Sequence, residues 1–260
     1  MEYGHILMET LNIRNEGGVR IVELNRPDSL NAINGPMIDD LTDAFVDAAG
    51  DDSVKVLLLT GAGRVFWAGA DLKEMGRSKH QPRHTFQEMM DALIDFPKPF
   101  LVAVHGVGVG IGATICGLAD YVLMADDARL RCPFSTLGLV AEAASTVTFP
   151  RLMGRQRASW FLLSAEWMGA EACLEAGLVA EILPPDGLLD GAMERANTLA
   201  ALPLASLMAT KALMMDPLRE QMKASAIKEN KKLASLQGQP ANKEALTAFM
   251  EKRAPDFTGL

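Results

Sequence analysis

Four glycines on alternate positions, Gly106, Gly108, Gly110 and Gly112, follow the apolar run Leu101-Val102-Ala103-Val104. A β-branched run ending in glycines reads as a buried strand that turns into a helix. Glycine adopts backbone angles that a Cβ forbids, and it admits another group close to the main chain. The first N–H groups of a helix have no partner inside it. Such a turn is suited to present N–H donors to something electron-rich. Three readings compete. One is a core turn with no ligand. The second is a dinucleotide site, because Gly108-Val109-Gly110-Ile111-Gly112-Ala113 fits the G-x-G-x-x-A form and Asp126 ends the next apolar run. The third is an oxyanion hole, in which an N–H stabilises developing negative charge. The uncharged stretch Pro99–Ala119 also has the length of a membrane span. Its proline, its five glycines, His105 and Thr114 make it a poor one.

A second turn of similar make lies upstream. Leu57-Leu58-Leu59 runs into Thr60-Gly61-Ala62-Gly63-Arg64-Val65-Phe66-Trp67-Ala68-Gly69-Ala70-Asp71-Leu72. It too reads as a strand, a glycine-containing loop and a helix start, with Asp71 in the first turn. Two such turns can place one N–H each around a single oxygen. One donor of this kind is worth roughly 3–4 kcal/mol of transition-state stabilisation. A thioester carbonyl that becomes an enolate is the kind of oxygen that needs both. Only about ten residues separate Ile111 from the strand near Tyr121, the least a whole crossover takes, which weakens the dinucleotide reading.

Among side chains, Glu142 sits among Val140, Ala141, Ala143 and Ala144, small apolar neighbours that would raise its pKa in a dry site. On these residues alone it reads as a carboxylate decorating a helix start. His80 and His84 are four apart, as metal ligands on one helix face are. Lys79, Pro82 and Arg83 make an exposed loop the better reading, and no metal site is expected. His105 reads as structural. Asp71 reads first as a helix cap.

These residues need elements to position them. Ile6 to Ile13 alternates and reads as one strand; Glu16-Gly17-Gly18 signals a hairpin to Val19–Leu24. A helix is predicted over Met37 to Ala49, a buried strand over Val54 to Leu59, and a loop over Gly61 to Gly69. Leu72 to Ser78 reads as a helical turn and His84 to Phe96 as a helix. Leu101 to Val104 is the central strand, Ile111 to Ala119 a short helix and Tyr121 to Ala125 the next strand. Leu130 and Arg131 begin a short extended piece. Helix signals dominate from Ser145, with long helices over Lys211–Leu236 and Ala241–Lys252. Strands alternating with helices imply a layered α/β core.

A chain of 260 residues suits one α/β domain with an appendage. A net charge of −8 and a pI near 5.1 argue against nucleic acid as a partner. Cys116, Cys132 and Cys173 give neither a disulfide framework nor a zinc pattern. The first twenty residues lack the apolar core of a signal peptide, and no Arg-rich presequence is evident. A cytoplasmic location is expected, with an organelle not distinguished, and no membrane partner.

The segment Phe66-Trp67-Ala68-Gly69-Ala70-Asp71-Leu72-Lys73-Glu74-Met75 closely resembles the signature of the crotonase (enoyl-CoA hydratase/isomerase) superfamily. The glycine turn resembles that family's second oxyanion segment. Similar too are Asn25-Arg26-Pro27 with Asn31-Ala32, Cys132-Pro133-Phe134 with Leu137-Gly138, Phe149-Pro150-Arg151-Leu152-Met153-Gly154, and Phe249 with Lys252-Arg253-Ala254-Pro255. The resemblance implies a spiral of ββα units over residues 1–200 and a helical trimerisation region over 201–260. It implies acyl-CoA thioester substrates, no cofactor beyond the CoA of the substrate, and a homotrimer or dimer of trimers. By position, the N–H groups of Ala70 and Ile111 would be the oxyanion donors. Ala68, Gly69, Asp71, Leu72 and Gly110 would lie along the acyl-CoA. Leu30 and Ala32 would lie near its nucleotide end. Phe249 and Lys252 would help hold the CoA, of this subunit or of a neighbour.

Hydratases of this family use two glutamates, and the resemblance puts those positions at Thr114 and at or near Phe134. Neither can move a proton. Glu142 instead falls where the family's Δ3-Δ2-enoyl-CoA isomerases carry their single glutamate. One carboxylate suffices to move a double bond from C3–C4 to C2–C3, since it takes a proton from C2 and returns one to C4. The expected function is therefore an enoyl-CoA isomerase, with an enoyl-CoA hydratase and a noncatalytic acyl-CoA-binding protein as alternatives.

Overall fold

Gly17 and Gly18 adopt φ of 57° and 89°, the pair of left-handed residues that a two-residue hairpin turn requires. They join strands β2 (Leu11–Glu16) and β3 (Val19–Leu24) with Glu16 opposite Val19. The computed structural model describes residues 6–72 and 82–260. Beyond β3 the main sheet continues in parallel through β4 (Val56–Gly61) and β5 (Phe100–Val104). It ends in β7 (Tyr121–Ala125) and β10 (Glu181–Leu183). Its order is β1-β2-β3-β4-β5-β7-β10, with β1 (Ile6–Leu7) at the hairpin edge. Every residue of β5 is buried, as the continuous apolar run of a parallel strand covered on both faces requires.

A second sheet of three strands, β6 (Val107–Val109), β8 (Arg129–Arg131) and β9 (Trp167–Gly169), follows the order β6-β8-β9. Helices pack against these sheets. The first is α1 (Gly35–Gly50), whose Asn34 side chain caps the Met37 N–H at 3.2 Å. The second is α2 (Phe86–Ile94), begun by a capping box between Thr85 and Glu88. Phe45 of α1 meets Phe96 and Phe100 edge-on at 5.2 and 5.1 Å between ring centroids. The short α3 (Ile111–Thr114) follows β6, and α4 (Ser145–Met153) and α5 (Arg155–Ser164) follow β8. Then come α6 (Ala170–Ala176) and α7 (Leu188–Ala200).

The chain closes with α8 (Leu204–Leu236) and α9 (Pro240–Glu251). Lys211 fastens α8 to the sheet: its buried Nζ donates to Asp120 Oδ2 at 2.6 Å and to the Lys98 carbonyl at 2.8 Å. Asp120 also accepts from the Phe100 N–H at 2.7 Å, so β5, the β7 entry and α8 share one carboxylate.

The sequence reading departs from this architecture in four places. Ile6 to Ile13 is two antiparallel strands with Ile6 opposite Ile13, not one. The corner between them is held by Asp40, which accepts from both the N–H and the hydroxyl of Thr10 at 2.8 Å. No glycine or proline marks that reversal. The long helix begins at Leu204, directly after Pro203, not at Lys211. The alternate glycines contain a strand, β6, before the helix. The three-residue strands β9 and β10 are too short to show a period. The predicted turn over Leu72–Ser78 falls, beyond Leu72, outside the described residues. The uncharged stretch Pro99–Ala119 is divided among β5, β6, α3 and a 3-10 turn (Ile115–Gly117). Among the described residues no single helix is long and apolar enough to cross a membrane.

Candidate active site

The two glycine-containing turns are joined side by side. Trp67 donates its N–H to the Val107 carbonyl at 3.1 Å and accepts from the Val109 N–H at 2.9 Å. The contact leaves no space for side chains. A Cβ on Gly112 would stand 2.3 Å from the Trp67 carbonyl oxygen, and one on Gly69 2.9 Å from the Val109 oxygen. Of the two glycines of the dinucleotide pattern, Gly108 is closed in the same way, since a Cβ there would stand 2.6 Å from the Gly112 carbonyl oxygen, whereas at Gly110 it would meet only the Gly69 Cα at 3.8 Å.

On its other side the first turn is held by residues 30–33. Ala68 donates to the Leu30 carbonyl, Ile33 to the Gly69 carbonyl at 2.7 Å, and Asp71 to the Ile33 carbonyl at 3.0 Å. Asn31, fully buried at φ 55°, donates to the carbonyls of Ala62 and Val65 and accepts from the Arg26 N–H. Arg26 reaches the Ala32 carbonyl and the Asp71 carboxylate. Asp71 is therefore engaged with Arg26 across the turn. Leu30, Ala32, Ala68, Gly69 and Asp71 come together at one edge of the site, with Leu72 the last described residue beyond it.

Between these two sets of bonds, neither the Ala70 N–H nor the Ile111 N–H has a hydrogen-bond partner among the described residues. Ile111 is the first residue of α3, and Gly110 before it takes φ 56°. Ala70 is exposed and Ile111 buried. The pair offers two unpaired main-chain donors on adjoining turns, the arrangement that stabilises a developing oxyanion.

One helical turn along α3 from Ile111 lies Thr114. Its buried hydroxyl donates to Glu142 Oε1 at 2.8 Å, with the Gly110 carbonyl a second acceptor at 3.2 Å. Glu142 itself is 6% exposed, and its Oε2 is buried with no hydrogen-bond partner. Burial pushes its pKa up to about 8, against the Thr114 hydrogen bond and assisted by the negative charge of Glu229. The Cys132 thiol, also raised by burial, feels the Glu142 charge. Residues 143 and 144 both adopt left-handed angles, φ 57° and 56°, at roughly 1–2 kcal/mol each for a residue with a Cβ.

The sequence reading missed two residues here. Thr114 is given no role in the site there beyond being unable to move a proton, yet its hydroxyl bonds the Glu142 carboxyl. Glu229 of α8 is 5% exposed, accepts from the Ala144 N–H at 2.7 Å and the Thr146 N–H at 3.1 Å, and bonds the Thr146 hydroxyl. Its place in Lys228-Glu229-Asn230-Lys231-Lys232 gives it the look of a solvated helix face.

Phe249 and Lys252 stand exposed at the end of α9, and among the described residues no hydrogen bond ties them to the amide pair. Phe134 is buried. His84 faces Asp43 at 3.1 Å, whereas His80 lies outside the described residues. Among the described residues no cluster of three His, Cys, Asp or Glu side chains is arranged to hold a metal. The His105 ring packs edge-on against Phe66 at 6.4 Å, and burial lowers its pKa.

The family described as enoyl-CoA hydratase/isomerase matches residues 14–260. The chain is 32% identical over 254 residues to 2,3-dehydroadipyl-CoA hydratase of Escherichia coli K12, covering 97% of this chain and 100% of that protein. It is 33% identical over 245 residues to enoyl-CoA delta isomerase 2 of Rattus norvegicus, covering 92% of this chain and 62% of that protein. A crystal structure of an enoyl-CoA hydratase/isomerase from Pseudoalteromonas atlantica T6c superposes with a TM-score of 0.91 at 31% identity, covering 96% of this chain and 100% of that one. The spiral frame, the paired turns and these matches agree: the chain is an enzyme of the enoyl-CoA hydratase/isomerase family, with the crotonase fold.

Proposed function

We propose that this enzyme moves a double bond from C3–C4 to C2–C3 of an enoyl-CoA, with Glu142 as the only proton carrier. The observation that carries this reading is the state of the Glu142 carboxyl. One oxygen is fixed by Thr114, which is itself one helical turn from the Ile111 amide, and the other is buried and unpaired.

In the first step Glu142 Oε2 takes the C2 proton. The electron pair of the C2–H bond moves toward C1, and the thioester oxygen becomes an oxyanion held by the Ala70 and Ile111 N–H groups. The dienolate so formed spans O, C1, C2, C3 and C4. In the second step the proton on Glu142 passes to C4, the C2–C3 double bond forms and the thioester carbonyl returns. No water and no cofactor enters. A carboxyl whose pKa is raised to about 8 is a stronger base than an ordinary carboxylate and still an acid near neutral pH, which suits both duties. The Thr114 hydroxyl supports the cycle. It donates to the carboxylate when Glu142 is ionised and can turn to the Gly110 carbonyl when Glu142 is protonated.

Hydration is the alternative, favoured by the 32% identity to a protein named as a hydratase. It requires a second group to handle the water proton, and by the resemblance the hydratase glutamates would fall at Thr114 and at or near Phe134. The exposed apolar residues Leu213, Met214, Ile227, Phe249 and Met250 of α8 and α9 support assembly as a homotrimer or dimer of trimers. Phe249 and Lys252 would then approach the CoA of a neighbouring subunit. The test of function is replacement of Glu142 by Gln. Loss of isomerisation with acyl-CoA binding retained supports the reading, and near-normal turnover sinks it.

A further inference from the structure

Glu229 is a second buried carboxylate beside Glu142, and the reaction makes no use of it. It reaches across from α8, far along the chain, to the residues that follow Glu142. There Ala143 and Ala144 turn left-handed before α4 begins, and Ala144 has no side chain with which to cap the helix. Glu229 takes over that duty. One oxygen accepts from the Ala144 N–H at 2.7 Å; the other accepts from the Thr146 N–H at 3.1 Å, from the Thr146 hydroxyl, and from Ser225 Oγ at 3.2 Å. Both of its oxygens are occupied, whereas Glu142 keeps one bare.

Given the Glu142 role proposed above, we propose that Glu229 is a positioning residue of the active site: by gripping the left-handed corner at Ala144 and Thr146 it aims the Glu142 carboxyl at the substrate and keeps water from it. Helix α8 thereby contributes to the chemistry as well as to the scaffold. Two successive left-handed residues with side chains are strained, so the corner needs such an anchor to persist. A fixed negative charge nearby also opposes ionisation of Glu142, in the same direction as burial. Around the Glu142 carboxyl are the Thr114 hydroxyl from α3, the Cys132 thiol after β8 and the charge of Glu229 from α8, while the Ser145 hydroxyl of α4 donates to the Glu142 main-chain carbonyl at 2.7 Å.

The test is to titrate Glu142 in the full-length chain without substrate, by infrared difference spectroscopy of the carboxyl band that disappears in Glu142→Gln. Glu229→Gln removes the charge and one acceptor bond. Its Glu142 midpoint is expected to fall by about one pH unit, a tenfold stronger acid. Glu229→Asp keeps the charge but shortens the reach, and the entry of water lowers the midpoint in the same direction by a smaller amount. An unchanged midpoint in both folded variants would overturn the proposal, leaving Glu229 a helix cap only. Loss of folding in both would overturn it equally, by making Glu229 a folding determinant. Because no substrate is present, the titration reads the positioning of Glu142 whether the enzyme isomerises or hydrates.

Discussion

The paired amides and the Glu142 corner are built in opposite ways. The amide pair is made of main chain alone, set by glycines at which a Cβ would strike a neighbouring carbonyl at 2.3–2.9 Å. No side chain there has to choose a rotamer or a protonation state. The Glu142 corner depends on side chains from three distant segments: Thr114 on α3, Glu142 before α4 and Glu229 on α8. In the function proposed above, the first region holds the thioester oxygen, and the second, where Glu142 can hold a proton, sets which reaction follows. The two buried glutamates sharpen the contrast. Glu229, with both oxygens bonded, has the environment of a structural carboxylate, while Glu142, with one oxygen bare, has that of an acid/base group.

Substitutions can separate the regions, beginning with the largest effect. Glu142→Gln is expected to lower kcat by about 10³-fold or more, while the Kd for a saturated acyl-CoA, measured by calorimetry, stays within about threefold because the amide frame is intact. Next, Gly112→Ala forces a methyl group against the Trp67 carbonyl and parts the two turns. Turnover should fall about 10²-fold through the displaced Ile111 donor, and here Tm falls too, since overpacking costs roughly 1–3 kcal/mol. A variant that lost activity without losing stability would mean that the turns are not joined through this contact. Thr114→Val leaves the frame alone but removes the donor to Glu142. The carboxylate loses a bond that favours ionisation, so the acidic limb of kcat/KM moves to higher pH and turnover at neutral pH falls about tenfold. Thr114→Ser should restore both.

The smallest effect is on stability and runs against intuition. Glu142 binds its proton more tightly in the folded chain, near pH 8, than at its ordinary value of 4.5. Between those values the folded state holds one proton more than the unfolded state, so stability falls as pH rises through that window. Glu142→Gln lacks this penalty. Its Tm should exceed that of the parent by a few degrees above pH 8, and the gain should vanish below about pH 4.5. An advantage independent of pH would contradict a buried, ionisable Glu142.

This division also explains what could be read from the amino acids. Backbone features leave glycines as their trace, and the turn residues Gly17, Gly69 and Gly112 stand in the sequence where the structure needs them. The apolar run Phe100–Val104 likewise announces a covered strand. The resemblance to a known signature directed attention to Glu142, and its small apolar neighbours pointed to a raised pKa, but nothing local revealed the side chains that hold it. Thr114 resembles a neutral substitution until its hydroxyl is seen 2.8 Å from the carboxylate. Glu229 sits among lysines in a helix that looks solvated, and its burial follows from the packing of α8 over the α4 entry. The reversal at Thr10 escaped notice because Asp40, thirty residues on, holds it rather than a local turn signal.

The most direct measurement is to incubate the purified enzyme with a 3-enoyl-CoA and, separately, with a 2-enoyl-CoA, and to identify products by mass and thioester absorbance. A single proton carrier predicts that the 3-enoyl form becomes the conjugated 2-enoyl form at unchanged mass and that the 2-enoyl form gains no water. Addition of water to the 2-enoyl substrate would contradict it, and would require a second acid/base group beside Glu142.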